Sequence, residues 1–197
     1  MSDFGFDAPE PVDQQLELPA VLPVLPLKET VVFPQSMAPL AIGQERSIRL
    51  IDDVAGGDRL LALLTSRDAD AESPGWGEVY DVGTIALVHK LLRVPDGTLR
   101  ILVQGIERVS LDNPVDTDPY LLGEFSALPD IVVETPELEA LTRNVQGLFS
   151  QIIGLAPYLP EELELAAANV DDPSALAHLV ASRLRPVRTD ELQEILE

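Results

Sequence analysis

The 197-residue chain contains no cysteine, and its only histidines and lysines are His89, His178, Lys28 and Lys90. The missing thiols exclude disulfide staples, thiolate nucleophiles and cysteine-ligated zinc or iron–sulfur sites. The two histidines lie far apart, with no second ligand motif beside either, so a clustered metal-hydrolase site has no source of imidazoles. His89, within Val88-His89-Lys90, reads as an exposed or hydrogen-bonded strand residue. Basic side chains are scarce throughout: 13 Lys and Arg stand against 34 Asp and Glu, for a formal net charge of −21. Phosphate backbones and anionic lipid surfaces are held by cations, which excludes nucleic acid and a polybasic membrane contact as partners of this segment. No apolar run approaches the ~18 residues that suggest a membrane span. The opening residues lack the basic and apolar regions of a secretory signal, so the cytoplasm is the expected compartment.

Known chemical motifs are missing too. A phosphate-binding P-loop needs Gly-Lys-Ser/Thr, but Lys28 and Lys90 are followed by Glu29 and Leu91. Asp68-Ala-Asp70-Ala-Glu72 imitates the start of a calcium loop. Ser73 then stands where the sharp turn wants glycine, and Val79 where a bidentate Glu belongs. The acid pairs Asp52-Asp53, Glu161-Glu162 and Asp171-Asp172 fall at helix ends, where carboxylates commonly complement the macrodipole. No Gly-x-Ser-x-Gly elbow exists. On its residues alone the chain reads as a non-catalytic acidic module; a hydrolase pairing a serine with Lys28 or Lys90 is the rival from another class.

What is present is enough for a core. Hydrophobic residues make up 46%, and a chain of this size buries roughly 70% of its unfolded surface on folding. The charge divides into three regions. Residues 1–17 hold five acids and no base, with Pro9 and Pro11 and no periodicity, and read as a flexible acidic tail. Residues 18–129 read as a β-rich domain. The apolar run Ala20 to Leu27 carries Pro23 and Pro26, so an edge strand or a bulged one is expected. A short strand from Met37 to Ile42 follows, then a helix from Gln44 to Val54 and a strand from Arg59 to Thr65 rich enough to be buried on both faces. Val79 to Val94 and Thr98 to Leu111 form a hairpin about Pro95-Asp96-Gly97. Pro114 to Asp118 reads as a turn and Tyr120 to Leu128 as the last strand.

Past Pro129 the apolar period changes to that of helices, over residues 130–197. Thr135-Pro136-Glu137 sets a cap, a first-turn proline and an early acid. Leu138, Leu141, Val145, Leu148 and Ile152 then form one apolar stripe, expected to face a core and to end at Gly154. Further helices start at Pro160, at Asp172-Pro173 and at Thr189. The last reaches Glu197 without a stop signal, as in a piece of something longer. The expected fold is therefore α+β: about six strands in a partly closed sheet with one helix, then a small helical bundle.

One combination is specific. Leu22 through Pro34, Pro39-Leu40, Gly43 through Ile48, Asp81 through Thr84, Leu92 through Thr98 and Ile101 through Arg108 together resemble the N-terminal domain of the Lon protease family. Asp172 through Ala177 and Leu192 through Glu197 resemble its helical part and the start of a following long helix. Order and spacing agree over about residues 20–197; the tail has no counterpart.

The resemblance implies a LON-type sheet and the substrate-recognition part of an ATP-dependent AAA+ serine protease. That parent is a hexameric ring that degrades misfolded and regulatory proteins. It also implies that ATP, magnesium and the Ser–Lys catalytic pair belong to segments outside this one. As a fragment, a monomer or weak dimer is expected; a freestanding adaptor of the same fold is the alternative. Unfolded substrates expose apolar segments, so contact candidates are Phe33, Met37, Leu40 and Trp76, with Gln44, Glu45 and Arg46 for polar groups. Phe33 and Leu40 are also the residues such a core would claim first.

Overall fold

A computed structural model describes residues 19–95 and 97–197; the expected tail at 1–17 and Asp96 of the hairpin turn lie outside the described residues. In chain order the elements are β1 (Leu22–Leu27), β2 (Met37–Ile42), α1 (Glu45–Gly56), β3 (Leu60–Thr65), β4 (Val82–Arg93), β5 (Leu99–Asp116), β6 (Leu121–Ala127), α2 (Pro136–Leu155), α3 (Glu162–Ala168), α4 (Pro173–Ala181) and α5 (Thr189–Leu196). This is the α+β arrangement expected, with six strands and one helix followed by four helices.

The sheet runs β2-β5-β4-β3-β1-β6, and β6 also pairs with β5. Closure depends on β5, whose 18 residues amount to about 60 Å of extended chain. One edge of β5 holds β4 along most of its length. Its other edge is shared: Leu99 to Gln104 pair with β2, and Val109 to Asp116 pair with β6. Register shifts at Ile85/Ala86 and Val88/Lys90 on β4, and at Leu111/Asn113 on β5, let the strands bend round the ring. The sequence pattern placed a turn at Pro114 to Asp118; instead β5 continues to Asp116, because β6 is there to pair with it.

β1 corrects a second expectation. It is an interior strand, parallel to β3 from Val24 to Leu27 and antiparallel to β6 from Leu22 to Val24. Pro23 lies opposite β6 alone and Pro26 opposite β3 alone, so each missing N–H falls where only one neighbour is paired. β2 is the strand with one free edge, and Pro39 at its centre removes a donor that a foreign strand would use.

Two glycines permit the close packing of this ring. A Cβ on Gly83 would stand 2.2 Å from the carbonyl oxygen of Leu63, and one on Gly105 would stand 2.2 Å from that of Phe33. Phe33 sits in the loop between β1 and β2, so Gly105 is what lets this loop lie flat against β5. Thr84, fully buried, donates its hydroxyl to Val32 O at 2.6 Å and so holds the same loop beside Gly105.

Apolar side chains divide into four clusters. One lies under α1, where Leu50, Ile51 and Val54 meet Leu25, Leu61 and Val103. A second fills the opposite face of the strands around Val24, Ile85 and Val109. A third belongs to the helices alone, with Phe149 and Ile153 of α2 against Ala167 and Leu176. The fourth joins the two parts: Val31 and Phe33 of the strand region pack with Ala181 and Leu196. Arg108 reinforces this junction, donating to Leu128 O at 3.1 Å and Leu196 O at 2.8 Å and pairing with Asp130 at 2.8 Å.

Candidate binding surface

The residues expected to touch a partner from the strand region are placed very unequally. Phe33 has 0% exposure and Leu40 9%; both are core, Phe33 lying 6.1 Å from the His178 ring. Met37 at the start of β2 and Gln44 at the N-cap of α1 are half-buried, and Glu45 is exposed. Arg46 is committed to its own chain. It donates to Ser73 Oγ at 3.3 Å, Pro74 O at 3.5 Å and Thr117 O at 2.8 Å. Trp76 belongs to the same construction: its indole N–H reaches Asp116 O at 3.0 Å, and its ring packs over Gly123 and the second cluster. The fold thus brings Arg46 and the Trp76 loop together, as a staple across two loops. Met37 and Glu45 stand apart from that staple as accessible groups.

A larger apolar surface lies on α2. The helix starts as its sequence demands, with Thr135 Oγ1 accepting from Leu138 N at 3.1 Å and Pro136 in the first turn. It runs through Gly154 to Leu155, because Ala156 N still bonds back to Ile152 O. Its core face is Phe149 and Ile153. The stripe expected to be inward points away instead: Leu141 is 60% exposed, Val145 36%, Leu148 51% and Ile152 37%. At 3.6 residues per turn these four fall within an arc of about 60°, roughly a quarter turn from Phe149 and Ile153. They extend along about 16 Å of helix axis.

The physical reason is supply. α2 has 20 residues, whereas α3 has seven and α4 nine. Two such short helices cover one face of α2 and leave the neighbouring apolar arc in water. Leu155 at the end of α2, Tyr158 in the loop after it and Leu165 on α3 are exposed too, as are Ile131 and Val133 in the segment before α2. Contiguous exposed apolar surface on this scale marks an interaction site. Reading only the period of α2 missed it; the signal available in the sequence was the shortness of the two helices that follow.

Toward the start of α2, on the same side of the helix as Phe149 and Ile153, lies an open groove of about 990 Å³ floored by Leu138, Thr142 and Gln146 and walled by Glu134 and Asp171. Gln146 Nε2 ties its base to Ala167 O and Val170 O at 3.1 and 3.3 Å. Among the described residues no cluster of three or more His, Asp or Glu side chains is arranged to hold a metal ion. No helix of the described residues is long and apolar enough to cross a membrane. His89, on β4, meets Gln104 at 2.6 Å and has no such company.

A ring of strands with a helical appendage and an exposed apolar helix face has the form of a binding module. Residues 21–197 match the family described as the ATP-dependent protease La (LON) substrate-binding domain, and the chain belongs to that family. It is 38% identical over 186 residues to a Lon protease of Dictyoglomus thermophilum and 40% identical over 190 residues to Lon protease 1 of Herpetosiphon aurantiacus. Each alignment covers 94% of this chain and 23% of the relative, so the chain spans about a quarter of the length of these proteins. The fold agrees with solved structures. The N-terminal domain of a Mycobacterium avium complex Lon protease superposes with a TM-score of 0.71 at 22% identity, over 90% of both chains. A Lon N-terminal domain protein from Xanthomonas campestris gives 0.52 at 20% identity, over 83% of this chain and 98% of the other.

Proposed function

We propose that this chain is the part of a Lon-type protease that first holds unfolded or damaged polypeptides, which AAA+ and serine-protease segments elsewhere in the parent then unfold and cleave. The observation that carries the reading is the unpartnered α2 face of Leu141, Val145, Leu148 and Ile152. Unfolded chains differ from folded ones in exposing apolar segments, and such a face removes those segments from water without demanding a fixed sequence. ATP and magnesium act in the remaining segments of the parent, a cytoplasmic homo-hexamer, and no residue here is assigned to them.

Within this reading Met37, at the start of β2, and Gln44 and Glu45, at the start of α1, are separate secondary contacts. Phe33 and Leu40 act as core residues, and Arg46 and Trp76 as the loop staple, outside that contact role. A division near residues 129–130 into a β-rich and a helical part is supported by their separate clusters, with α4 and α5 docked on the strands through Phe33 and Leu196. The test is binding of a permanently unfolded protein, reduced and alkylated, to the 197-residue chain. Micromolar binding that is lost in a Leu141→Ser/Leu148→Ser double variant is expected. Absence of binding to the unmodified chain would sink the reading.

A further inference from the structure

The helical segments that carry the exposed apolar face are mostly acidic, with Arg185 the exposed cation near Tyr158. Between residues 131 and 182 the chain carries eight acids and a single base, Arg143. That arginine is already engaged by Glu139. Glu134, Glu137, Glu161, Glu162, Asp171 and Asp172 are all exposed, and none is paired with a cation among the described residues. Glu137 is in line with the stripe itself, one helical turn before Leu141. The other acids belong to the start of α3, to the capped start of α4 and to the wall of the groove.

A second copy of this chain would set two such acidic surfaces against one another, and like charges so placed repel. An apolar segment flanked by Asp or Glu meets the same penalty. We propose, building on the recognition role just given, that the α2 face selects polypeptide segments in which a short apolar stretch is flanked by Lys or Arg. The apolar stretch covers Leu141, Leu148 and Ile152, and the flanking cations meet Glu137 and the neighbouring carboxylates. The apolar contact supplies affinity that is indifferent to salt. The charge contact acts over a screening length of about 8 Å at physiological ionic strength, so it sets preference and approach rate.

The experiment compares three fluorescent peptides sharing one five-residue apolar centre and flanked by two Lys, two Ser or two Glu on each side. Affinity for the 197-residue chain is measured in low and high salt. The Lys-flanked peptide is expected to bind about tenfold more tightly than the Glu-flanked one in low salt, the ratio falling severalfold in high salt. Glu137→Lys should narrow the ratio between the Lys- and Glu-flanked peptides. Leu141→Ser/Leu148→Ser should weaken all three peptides, with circular dichroism confirming that the helices are kept.

Equal binding of Lys- and Glu-flanked peptides in low salt, still lost in the double-serine variant, overturns the charge preference and leaves the recognition role standing. Binding unaffected by the double-serine variant overturns the placement on α2. Sedimentation showing a dimer that the same variant dissolves overturns the proposal in favour of a second copy as the occupant.

Discussion

Arg108 Nη1 donates to the carbonyl oxygen of Leu196 at 2.8 Å, joining strand β5 to the last turn of α5 across 88 residues of chain. The same guanidinium holds Asp130, at the point where the chain leaves the strands for the helices. With Arg108 and Asp130 side chains 15% and 29% exposed, this pair is well shielded from water.

Replacing Arg108 by alanine leaves the carbonyl oxygens of Leu128 and Leu196 and the Asp130 carboxylate without their donor. A loss of about 2–4 kcal/mol is expected, since breaking a shielded pair costs more than the pair contributes. Urea unfolding followed by circular dichroism checks this. An unchanged midpoint would show that the strand region and α5 are held by apolar packing alone.

His178 introduces a dependence on pH. Burial beside Phe33 holds its pKa below the ordinary value; Asp130, 3.7 Å away, opposes that shift, Arg108 adds to it and Asp172 opposes it. The unfolded chain therefore binds a proton at a pH where the folded chain does not. Stability contributed by the neutral ring is present above the unfolded value of about 6.5 and is lost as pH falls below it. Thermal unfolding between pH 7 and 5 should show this decline, and His178→Leu should flatten it. The lowered carboxylates of Asp116 and Asp190 titrate further down and do not enter this window.

Adjacent residues of α2 should behave in opposite ways. Phe149→Ala removes a side chain that is 1% exposed and should cost about 3–5 kcal/mol. Leu148→Ser alters one that is 51% exposed and should change stability by no more than about 0.5 kcal/mol. Parallel denaturant curves for the two variants settle which face of α2 the bundle covers. A large loss from Leu148→Ser would place the stripe in a core after all.

Arg46 and Trp76 can be tested together, because Trp76 is the chain's one tryptophan. Arg46→Ala removes three bonds to the loops at Ser73, Pro74 and Thr117. The indole, which packs on Gly123 beneath those loops, should become more hydrated. A red-shifted emission with little change in global unfolding is the expected result. An emission spectrum matching that of the unmodified chain would mean that Arg46 does not hold the loop.

Much of the architecture was legible where a residue's own chemistry dictates the outcome. Thr135-Pro136 and Asp172-Pro173 start helices because a cap oxygen and a fixed proline φ act within one turn, and both oxygens accept the bonds expected of them. Gly97, with φ of +88°, turns the β4–β5 hairpin as its glycine suggested. Pairing partners were not legible in the same way. Pro23 and Pro26 pointed to an edge, yet β1 is interior, because its neighbours cover different halves of it. Of the contact candidates, Met37 and Glu45 are accessible, whereas Phe33 was claimed by a junction with helices about 150 residues further along, which no local pattern announces.

The sequence by itself determined the charge, the absence of thiols, the places where helices begin and the apolar positions of α2. Those follow from composition and from interactions within a few residues of one another. Only the tertiary structure decided which apolar arc of α2 became core and which was left outside. Both arcs have the right period, and each would lower the free energy by burial. Coverage depends on the length and position of α3 and α4, and they are long enough to cover one.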